Sequence, residues 1–358
     1  MVLRRSLDIS PYLQLLVDKQ GSDLFFTRRS AVKIKIEGTL HSVGKEVLDG
    51  EMIEAAASGI LGRRQAEAFE NNWEVDFGFA VPGIQARFRA NVFRQRGEAA
   101  MVLRRIPVEI PDLDDLGMPE VLKQLIMHKR GLILMVGATG SGKSTTLAGM
   151  INHRNAMIPG HILTIEDPIE FSHPNIKSIV NQREIGVDTL SYRAALRSAM
   201  RESPDVILIG EIRDRETMET TLELCNTGHL CLSTLHANNA NQALERVINL
   251  FPQDLHKQLL LDLSSNVRSI ISQRLVMGID AKRCAAVEVM ISTPHLADLV
   301  LKGELGQIKE AMESSGVPGM QTFDMALYNL YKAKRIELRE ALNNADSRTN
   351  LEAKINFG

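Results

Sequence analysis

The chain has 358 residues, a length that predicts two domains with appendages rather than a single core. Its 42 basic and 44 acidic residues give a formal net charge of −2, which argues against a polybasic surface built to neutralise nucleic-acid phosphates. The three cysteines, Cys225, Cys231 and Cys284, form no CxxC pair; this excludes a thiolate zinc module of the usual spacing and fits a reducing compartment.

The opening segment MVLRRSLDIS carries arginines without an apolar region behind them. No stretch of the sequence approaches ~18 consecutive apolar residues. We therefore expect neither a signal peptide nor a membrane-spanning helix, and we expect a cytoplasmic protein.

The first third of the chain has the pattern of a small α+β domain, which we place at residues 1–107. SLDISPYLQLLVDKQ has helical spacing of its apolar residues, and IQARFRANVF alternates apolar and polar residues as a strand does. A turn at Pro82 and Gly83 joins this strand to a preceding alternating run, WEVDFGFAV. The two runs predict a hairpin, and the first is expected to place on one side Trp73, Val75, Phe77, Phe79 and Val81.

A change of composition follows, with Pro107, Pro111, Pro119 and four acidic residues between Glu109 and Asp115. This composition predicts a linker over residues 108–120. Beyond it, the short apolar runs LILMV, ILTI, DVILI and LCLS alternate with longer helical stretches. This alternation predicts an α/β domain over residues 121–292, with a parallel sheet covered on both faces.

The last part of the chain has mainly helical patterns. DLHKQLLLDLSSNVRSIISQRLV, residues 254–276, carries its apolar residues at helical spacing and predicts helical structure. A strand-like run, AAVEVMI, precedes three further helical segments, which predict a helical appendage over residues 293–358.

The stretch GATGSGKSTT, residues 137–146, fits the phosphate-binding pattern G-x-x-x-x-G-K-[ST] between a predicted strand and a predicted helix. In this pattern, glycines let backbone N–H groups turn toward phosphates and the helix N-terminus adds its positive end. We expect Lys143 to reach the β- and γ-phosphates of ATP and Ser144 to bind Mg²⁺. The expected nucleotide-binding residues are Gly137, Ala138, Thr139, Gly140, Ser141, Gly142, Lys143, Ser144 and Thr145.

Acidic residues follow two of the other predicted strands. Glu211 ends DVILIGE, and ILTI leads into EDPIE, which contains Glu166, Asp167 and Glu170. Ligands of open α/β sheets bind beyond the carboxyl ends of the strands, so both acidic groups are expected to point at the same crevice as the glycine-rich loop. The alternative is that they are exposed loop acids capped by arginines. His236, in STLHANN after the fourth strand, is either part of this crevice or a structural histidine.

The segments GATGSGKSTT, ILTIEDPIE, SPDVILIGEIRD and STLHANN occur in the order of the Walker A, Asp-box, Walker B and His-box segments of a known family. With them, the chain resembles the type II/IV secretion ATPase superfamily, and most closely the type IV pilus retraction ATPases. The resemblance extends through ARFRANVF, ERVINLFP and GMQTFDMAL. It implies a PAS-like N-terminal α+β domain and a RecA-like P-loop domain, which enclose ATP between neighbouring subunits of a homo-hexamer.

The resemblance also implies roles for single residues. Glu211 would activate water, Glu170 would lie near Mg²⁺ and the γ-phosphate, and His236 would sense the nucleotide. The implied metal ligands are Ser144, Glu170 and Glu211. Arginines of a neighbouring N-terminal domain would stabilise transition-state charge, with Arg87, Arg89, Arg94 and Arg104 as candidates. Without the family, the same arginines fit a solvated hairpin face.

Two departures from the principal retraction ATPases, the PilT type, favour the accessory PilU type. HLADLVLKGEL, from His295 to Leu305, replaces an AIRNLI-type segment, and the early loop LFFTRRSAVKIKIEG carries Arg28 and Arg29. The implied partners are a PilT-type ATPase and the PilC-type platform protein of the inner membrane, with no nucleic acid. The implied location is the inner face of that membrane at the pilus base.

Two other functions remain open from the residues alone. RecA-like cores also serve nucleic-acid translocases, although the acidic charge balance and the 4% aromatic content argue against one here. A nucleotide-gated assembly subunit with weak hydrolysis is the second alternative.

Overall fold

The computed structural model describes residues 7–106 and 109–357. These residues form two units. One comprises Met1–Glu109 with Pro168–Ser172 and Gly186–Asp188, and the other comprises Ile110–Asp167, His173–Ile185 and Thr189–Gly358. None of the helices in the described ranges has the length and apolar character needed to cross a membrane.

Unit 1 is built on an antiparallel sheet. Its elements are α1 (Ser10–Asp18), β1 (Asp23–Phe26), β2 (Val32–Ile36), β3 (Thr39–Val43), α2 (Gly50–Ser58), α3 (Arg63–Asn72), β4 (Glu74–Ala80), β5 (Arg87–Gln95) and β6 (Glu98–Ile106). Among the residues that the structure describes, these strands form one sheet in the order β3-β2-β1-β6-β5-β4. The helices contribute Leu13, Leu16 and Ile53 to a core shared with β5 and β6.

The predicted hairpin is confirmed, because β4 and β5 pair antiparallel from Glu74 opposite Phe93 to Ala80 opposite Arg87. Along β5 the apolar residues Phe88, Ala90 and Val92 are buried. The prediction for Trp73 is wrong. Trp73 caps the C-terminus of α3 with a φ of 65° and is 68% exposed, so strand β4 begins at Glu74 and not at Trp73.

The segment LFFTRRSAVKIKIEG, described from the sequence as an early loop, contains most of β1 and all of β2. Val32 and Ile34 of β2 are buried while Lys33 and Lys35 alternate with them, a two-residue period that indicates a strand. Arg28 and Arg29 lie in the connection between β1 and β2, where Arg28 pairs with Glu98 at 2.6 Å.

Unit 2 has a mainly parallel sheet covered by helices. Its elements are α4 (Val121–Leu125), β7 (Gly131–Val136), α5 (Lys143–Met157), β8 (His161–Glu166), β9 (Ile179–Glu184), α6 (Tyr192–Ala199), β10 (Val206–Glu211), α7 (Arg215–Asn226), β11 (Leu230–Leu235), α8 (Ala240–Asn249), α9 (His256–Asn266), β12 (Val267–Met277), β13 (Arg283–Ile291), α10 (Pro294–Lys302), α11 (Ile308–Ser314), α12 (Phe323–Lys332), α13 (Leu338–Asn344) and α14 (Arg348–Phe357). Within the described ranges, the sheet order is β13-β12-β7-β11-β10-β8-β9.

The four apolar runs form parallel strands, as predicted. They are β7, β8, β10 and β11, and β13 at one edge is antiparallel to β12. All six residues of β7 are buried, which matches a strand covered on both faces. The sequence prediction missed β9, an edge strand whose residues IVNQRE carry little apolar signal.

The prediction of helical structure over residues 254–276 is wrong in its second half. Helix α9 ends at Asn266, and the chain continues directly into β12. Val267, Ile270 and Ile271 recur at helical spacing, but they pair with β7 in parallel register. Their branched side chains favour a buried strand. Three apolar positions are too few for their spacing to distinguish a helix from a strand.

Most of the segment predicted as a linker, residues 108–120, packs into unit 2. Leu113 and Met118 are buried with Leu122 and Ile151 in a core cluster of unit 2, so residues 110–120 pack as part of that unit. Pro107 lies outside the described residues. Helices α10 to α14 follow the sheet, and Phe323, Leu327 and Leu351 form a core with Val276 of β12.

Candidate nucleotide site

The glycine-rich loop joins the end of β7 to the start of α5. Gly140 and Gly142 have φ angles of 77° and 87°, a conformation that favours glycine. A Cβ atom on Gly142 would also lie 2.8 Å from Nε2 of Gln273, and one on Gly137 would lie 2.5 Å from the carbonyl oxygen of Gln273. The backbone oxygen excludes a side chain at Gly137, and a side chain at Gly142 would have to displace the Gln273 amide, so the loop is packed against β12 as well as turned.

Lys143 and Ser141 present hydrogen-bond donors in this loop. Lys143 Nζ donates to the carbonyl oxygens of Gly137 and Ala138, each at 2.9 Å. The Oγ of Ser141 is buried and has no hydrogen-bond partner among the described residues. A lysine ammonium, a buried hydroxyl and the N–H groups of the first turn of α5 are the groups that hold phosphate in proteins. The loop therefore fits a nucleotide phosphate.

All nine expected nucleotide-binding residues lie in this loop and the first turn of α5. Ala138, Thr139 and Gly140 are exposed, whereas Ser144 and Thr145 are half-buried at the start of the helix.

Glu211 is the last residue of β10, and its side chain is 17% exposed. Its Oε2 accepts a hydrogen bond from Nε of Arg213 at 2.7 Å, and its Oε1 lies 3.3 Å from Nε2 of His236. The register of β10 against β11 shifts between Ile209 and Glu211, so that Glu211 pairs with Thr234. The structure thus brings Glu211 and His236 together at the carboxyl ends of neighbouring strands.

The sequence prediction missed Tyr192 beside this acid. A Cβ on Gly210 would lie 2.7 Å from the Tyr192 hydroxyl, so the phenol occupies the space that the glycine leaves. Burial, with a smaller contribution from Asp167, raises the pKa of Tyr192 above its ordinary value and keeps the phenol neutral. A glycine inside an otherwise apolar strand was the available signal, because it often marks a close approach.

Two of the three acids of the Asp-box segment, Glu166 and Glu170, are placed differently. Glu166 ends β8, where its Oε1 accepts hydrogen bonds from Thr164 Oγ1 at 2.6 Å and Gln182 Nε2 at 3.1 Å. Glu170 lies in Pro168–Ser172, a segment grouped with unit 1. Its role stays a prediction.

Two cavities of unit 2 flank the loop. One, of about 570 Å³, is lined by Gly137, Ala138, His236 and Asn238 together with residues of α8. The other, of about 390 Å³, is lined by Gly142, Thr145, Leu275, Arg283 and other residues of β12, β13 and their connection. His236 therefore faces the same cavity as the start of the phosphate-binding loop.

Three of the four candidate arginines of unit 1 have carboxylate partners within that unit. Arg89 and Arg104 lie directly opposite each other on β5 and β6. Arg89 binds Asp76 with two guanidinium nitrogens, and Arg104 Nε donates to Asp23 at 2.8 Å. Arg94 lies 3.5 Å from Glu54 and over the Phe69 ring, and Arg87 begins β5 opposite Ile106. Their action on a neighbouring subunit stays a prediction.

Comparison with known proteins identifies the family. The family described as "Type II/IV secretion system protein" matches residues 6–326. The chain belongs to the type II/IV secretion system protein family. Among relatives of this secretion family, the Type IV pilus ATPase PilU of Pseudomonas aeruginosa is 48% identical over 98% of this chain and 92% of that protein. The retraction ATPase PilT of the same organism is 42% identical over 93% of this chain and 96% of that protein.

The crystal structure of the pilus retraction motor PilT with bound ADP has the same fold. It matches with a TM-score of 0.90 and 40% identity, and the match covers 97% of this chain and 99% of that one. The predicted resemblance and fold class are confirmed. As a member of the type II/IV secretion system protein family with a complete phosphate-binding loop, the chain is a nucleotide-using ATPase.

Proposed function

We propose that this ATPase is a subunit of a homo-hexameric motor that withdraws type IV pili and so drives twitching motility. The similarity to a pilus ATPase over 98% of the chain supports this proposal. The observation that carries the chemistry is the convergence of the glycine-rich loop, Glu211 and His236 at the carboxyl ends of β7, β10 and β11 in unit 2.

Lys143 changes partners in the proposed reaction. Its ammonium exchanges the carbonyl oxygens of Gly137 and Ala138 for phosphate oxygens of ATP, to which it forms stronger charge-assisted hydrogen bonds. The buried Ser141 hydroxyl donates a hydrogen bond to a phosphate oxygen of the same nucleotide.

Glu211 orients the attacking water as general base, and His236 reports whether the γ-phosphate is present. Arg213 donates to one oxygen of the Glu211 carboxylate and His236 lies 3.3 Å from the other, and each oxygen keeps a second lone pair that can accept a hydrogen bond from the water.

Mg²⁺ fits the oxygen donors of this edge. Ser144 lies in the first turn of α5 and Glu211 is the last residue of β10, and hydroxyl and carboxylate oxygens are ligands that Mg²⁺ takes. We propose these two residues, with Glu170, as the groups that hold it. When bound, the ion neutralises charge that develops on the phosphates.

We propose that the hexamer completes the site. Arg87, Arg89, Arg94 or Arg104 of one subunit would stabilise charge at the neighbour's ATP, for which Arg89 or Arg104 must exchange its carboxylate partner. Loss of the γ-phosphate then shifts the equilibrium between closed and open arrangements of the ring, by the difference in nucleotide affinity between them.

Within this family we propose the PilU-type accessory role, beside a PilT-type ATPase. Identity of 48% to PilU against 42% to PilT supports this choice. The ring would act on a PilC-type platform protein at the inner face of the inner membrane, at the pilus base, without nucleic acid.

The test deletes the gene for this chain and that for the PilT-type motor separately, and compares both with a Glu211→Gln allele. Surplus surface fibres with lost twitching support retraction, whereas bald cells would indicate extension and contradict it. Turnover by the purified chain, with and without the PilT-type protein, tests the accessory role. Pulling that is unaffected by the absence of this chain would overturn that role.

A further inference from the structure

Gln273 lies at the base of the glycine-rich loop but belongs to none of the recognised motifs. It is a residue of β12, and the preceding residue, Ser272, pairs with Val136 at the end of β7. Gln273 is 2% exposed. A polar side chain this deeply buried must form hydrogen bonds to offset the loss of water.

Both ends of the Gln273 amide bind the loop region. Its Nε2 donates to the carbonyl oxygen of Ser141 at 2.8 Å, and its Oε1 accepts from Thr146 Oγ1 at 2.8 Å. A carbonyl oxygen can only accept, so the contact with Ser141 fixes which end of the amide faces it. These two partners lie on either side of Gly142, Lys143 and Ser144.

Gln273 also lies close to two glycines of the loop. Its carbonyl oxygen excludes a side chain at Gly137, and its Nε2 would lie 2.8 Å from a Cβ at Gly142, which would have to displace the amide. One residue of β12 therefore contacts the beginning, the middle and the end of the motif. Residues 138–140 of the loop are exposed and have few packing contacts of their own. The loop therefore depends on contacts with β12 for a fixed shape.

We propose that Gln273 is a positioning residue that holds the glycine-rich loop in its phosphate-binding shape. It acts through Ser141 and Thr146, and it lowers the cost of ordering the loop when nucleotide binds. The inference rests on the proposed use of this loop for nucleotide phosphates.

The test replaces Gln273 by Met, which keeps the length and removes both hydrogen bonds. The substitution leaves the buried Ser141 carbonyl oxygen and Thr146 hydroxyl without their hydrogen bonds to Gln273. We expect the Kd for ADP and the KM for ATP to rise roughly tenfold or more, with a smaller change in kcat. The readouts are calorimetric titration with ADP, steady-state phosphate release, and Tm with and without ADP.

Gln321 offers a matched control. Its Nε2 also donates to a carbonyl oxygen of the sheet, that of Val287 at 2.8 Å, away from the loop. Gln321→Met should lower Tm without changing the Kd for ADP. Equal loss of affinity in both variants at similar loss of Tm would show that Gln273 is merely structural and would overturn the proposal.

Thr146→Val provides a second route should Gln273→Met fail to fold. It removes one of the two bonds at constant shape, and it should weaken ADP binding severalfold. In the double variant the losses should be less than additive, because the residues act together. Wild-type affinity in a folded Gln273→Met, or in Thr146→Val where Gln273→Met does not fold, would contradict the proposal. ADP binding by the wild-type chain and its loss in Lys143→Ala check the underlying use of the loop separately.

Discussion

The two sheets of the molecule arrange their charged side chains in different ways. In unit 2 the parallel strands β7, β10 and β11 all end at one edge, where Glu211 is the last residue of β10 and the glycine-rich loop and His236 follow β7 and β11. In unit 1 the antiparallel strands place Arg104 beside Arg89, and Asp23 and Asp76 on the outer neighbours β1 and β4 neutralise the pair. A parallel sheet concentrates chemistry at an edge, whereas an antiparallel sheet compensates charge across its strands.

The largest effect is expected for Lys143 at the edge of the parallel sheet. Lys143→Ala removes the ammonium that would bind phosphate, so nucleotide affinity should fall roughly 100-fold or more. Calorimetric titration with ADP measures this. Lys123→Ala is the control, because Lys123 pairs with Asp114 and Glu120 elsewhere in unit 2 and should leave affinity unchanged. ADP affinity close to wild type in Lys143→Ala would contradict the view that the edge of the parallel sheet is the nucleotide site.

The stability of unit 2 should depend on a buried histidine. Burial lowers the pKa of His173 from 6.5 to about 4, and its Nδ1 has no hydrogen-bond partner within the part of the chain described. Below pH 6.5 the unfolded chain binds a proton that the folded chain does not. About 3 kcal/mol of stability, present above that pH, should therefore be lost as the pH falls toward 4.

His173→Leu should reduce this acid sensitivity, measured as the dependence of Tm on pH. Burial raises the pKa of Glu288, so its contribution has the opposite sign and is lost as the pH rises through that raised value. Glu288 titrates in both proteins, and the difference between them isolates His173. Identical pH profiles for the two proteins would contradict the assignment.

A smaller effect tests the charge compensation of unit 1. Arg104→Ala leaves the carboxylate of Asp23, which is 5% exposed, with the Ser22 hydroxyl as its one side-chain donor within the described ranges, and should cost about 1–2 kcal/mol. Arg63→Ala, which breaks a pair whose side chains are 93% and 61% exposed, should cost less than ~0.5 kcal/mol. Urea unfolding of both variants gives the comparison. Equal losses would show that burial of Asp23 is unimportant.

The sequence predicted the edge of the parallel sheet because that site is local in the chain. Residues 137–145 form a contiguous motif, and Glu211 and His236 each follow an apolar strand directly. Gln273, Tyr192 and the Arg104–Asp23 pair could not be predicted, since their partners are 132, 18 and 81 residues away and only the fold brings them together. Strand β12 was missed because three branched residues occur at a spacing that also fits a helix.

The most direct test of the account is phosphate release and ATP binding by Glu211→Gln, with Glu219→Gln as the control, since Glu219 pairs with Arg215 on the surface of α7. We expect Glu211→Gln to bind ATP within a few-fold of wild type and to hydrolyse it at least ~100-fold more slowly, and we expect the control to match wild type. Hydrolysis by Glu211→Gln at the wild-type rate would contradict the central claim that the carboxylate at the end of β10 activates water.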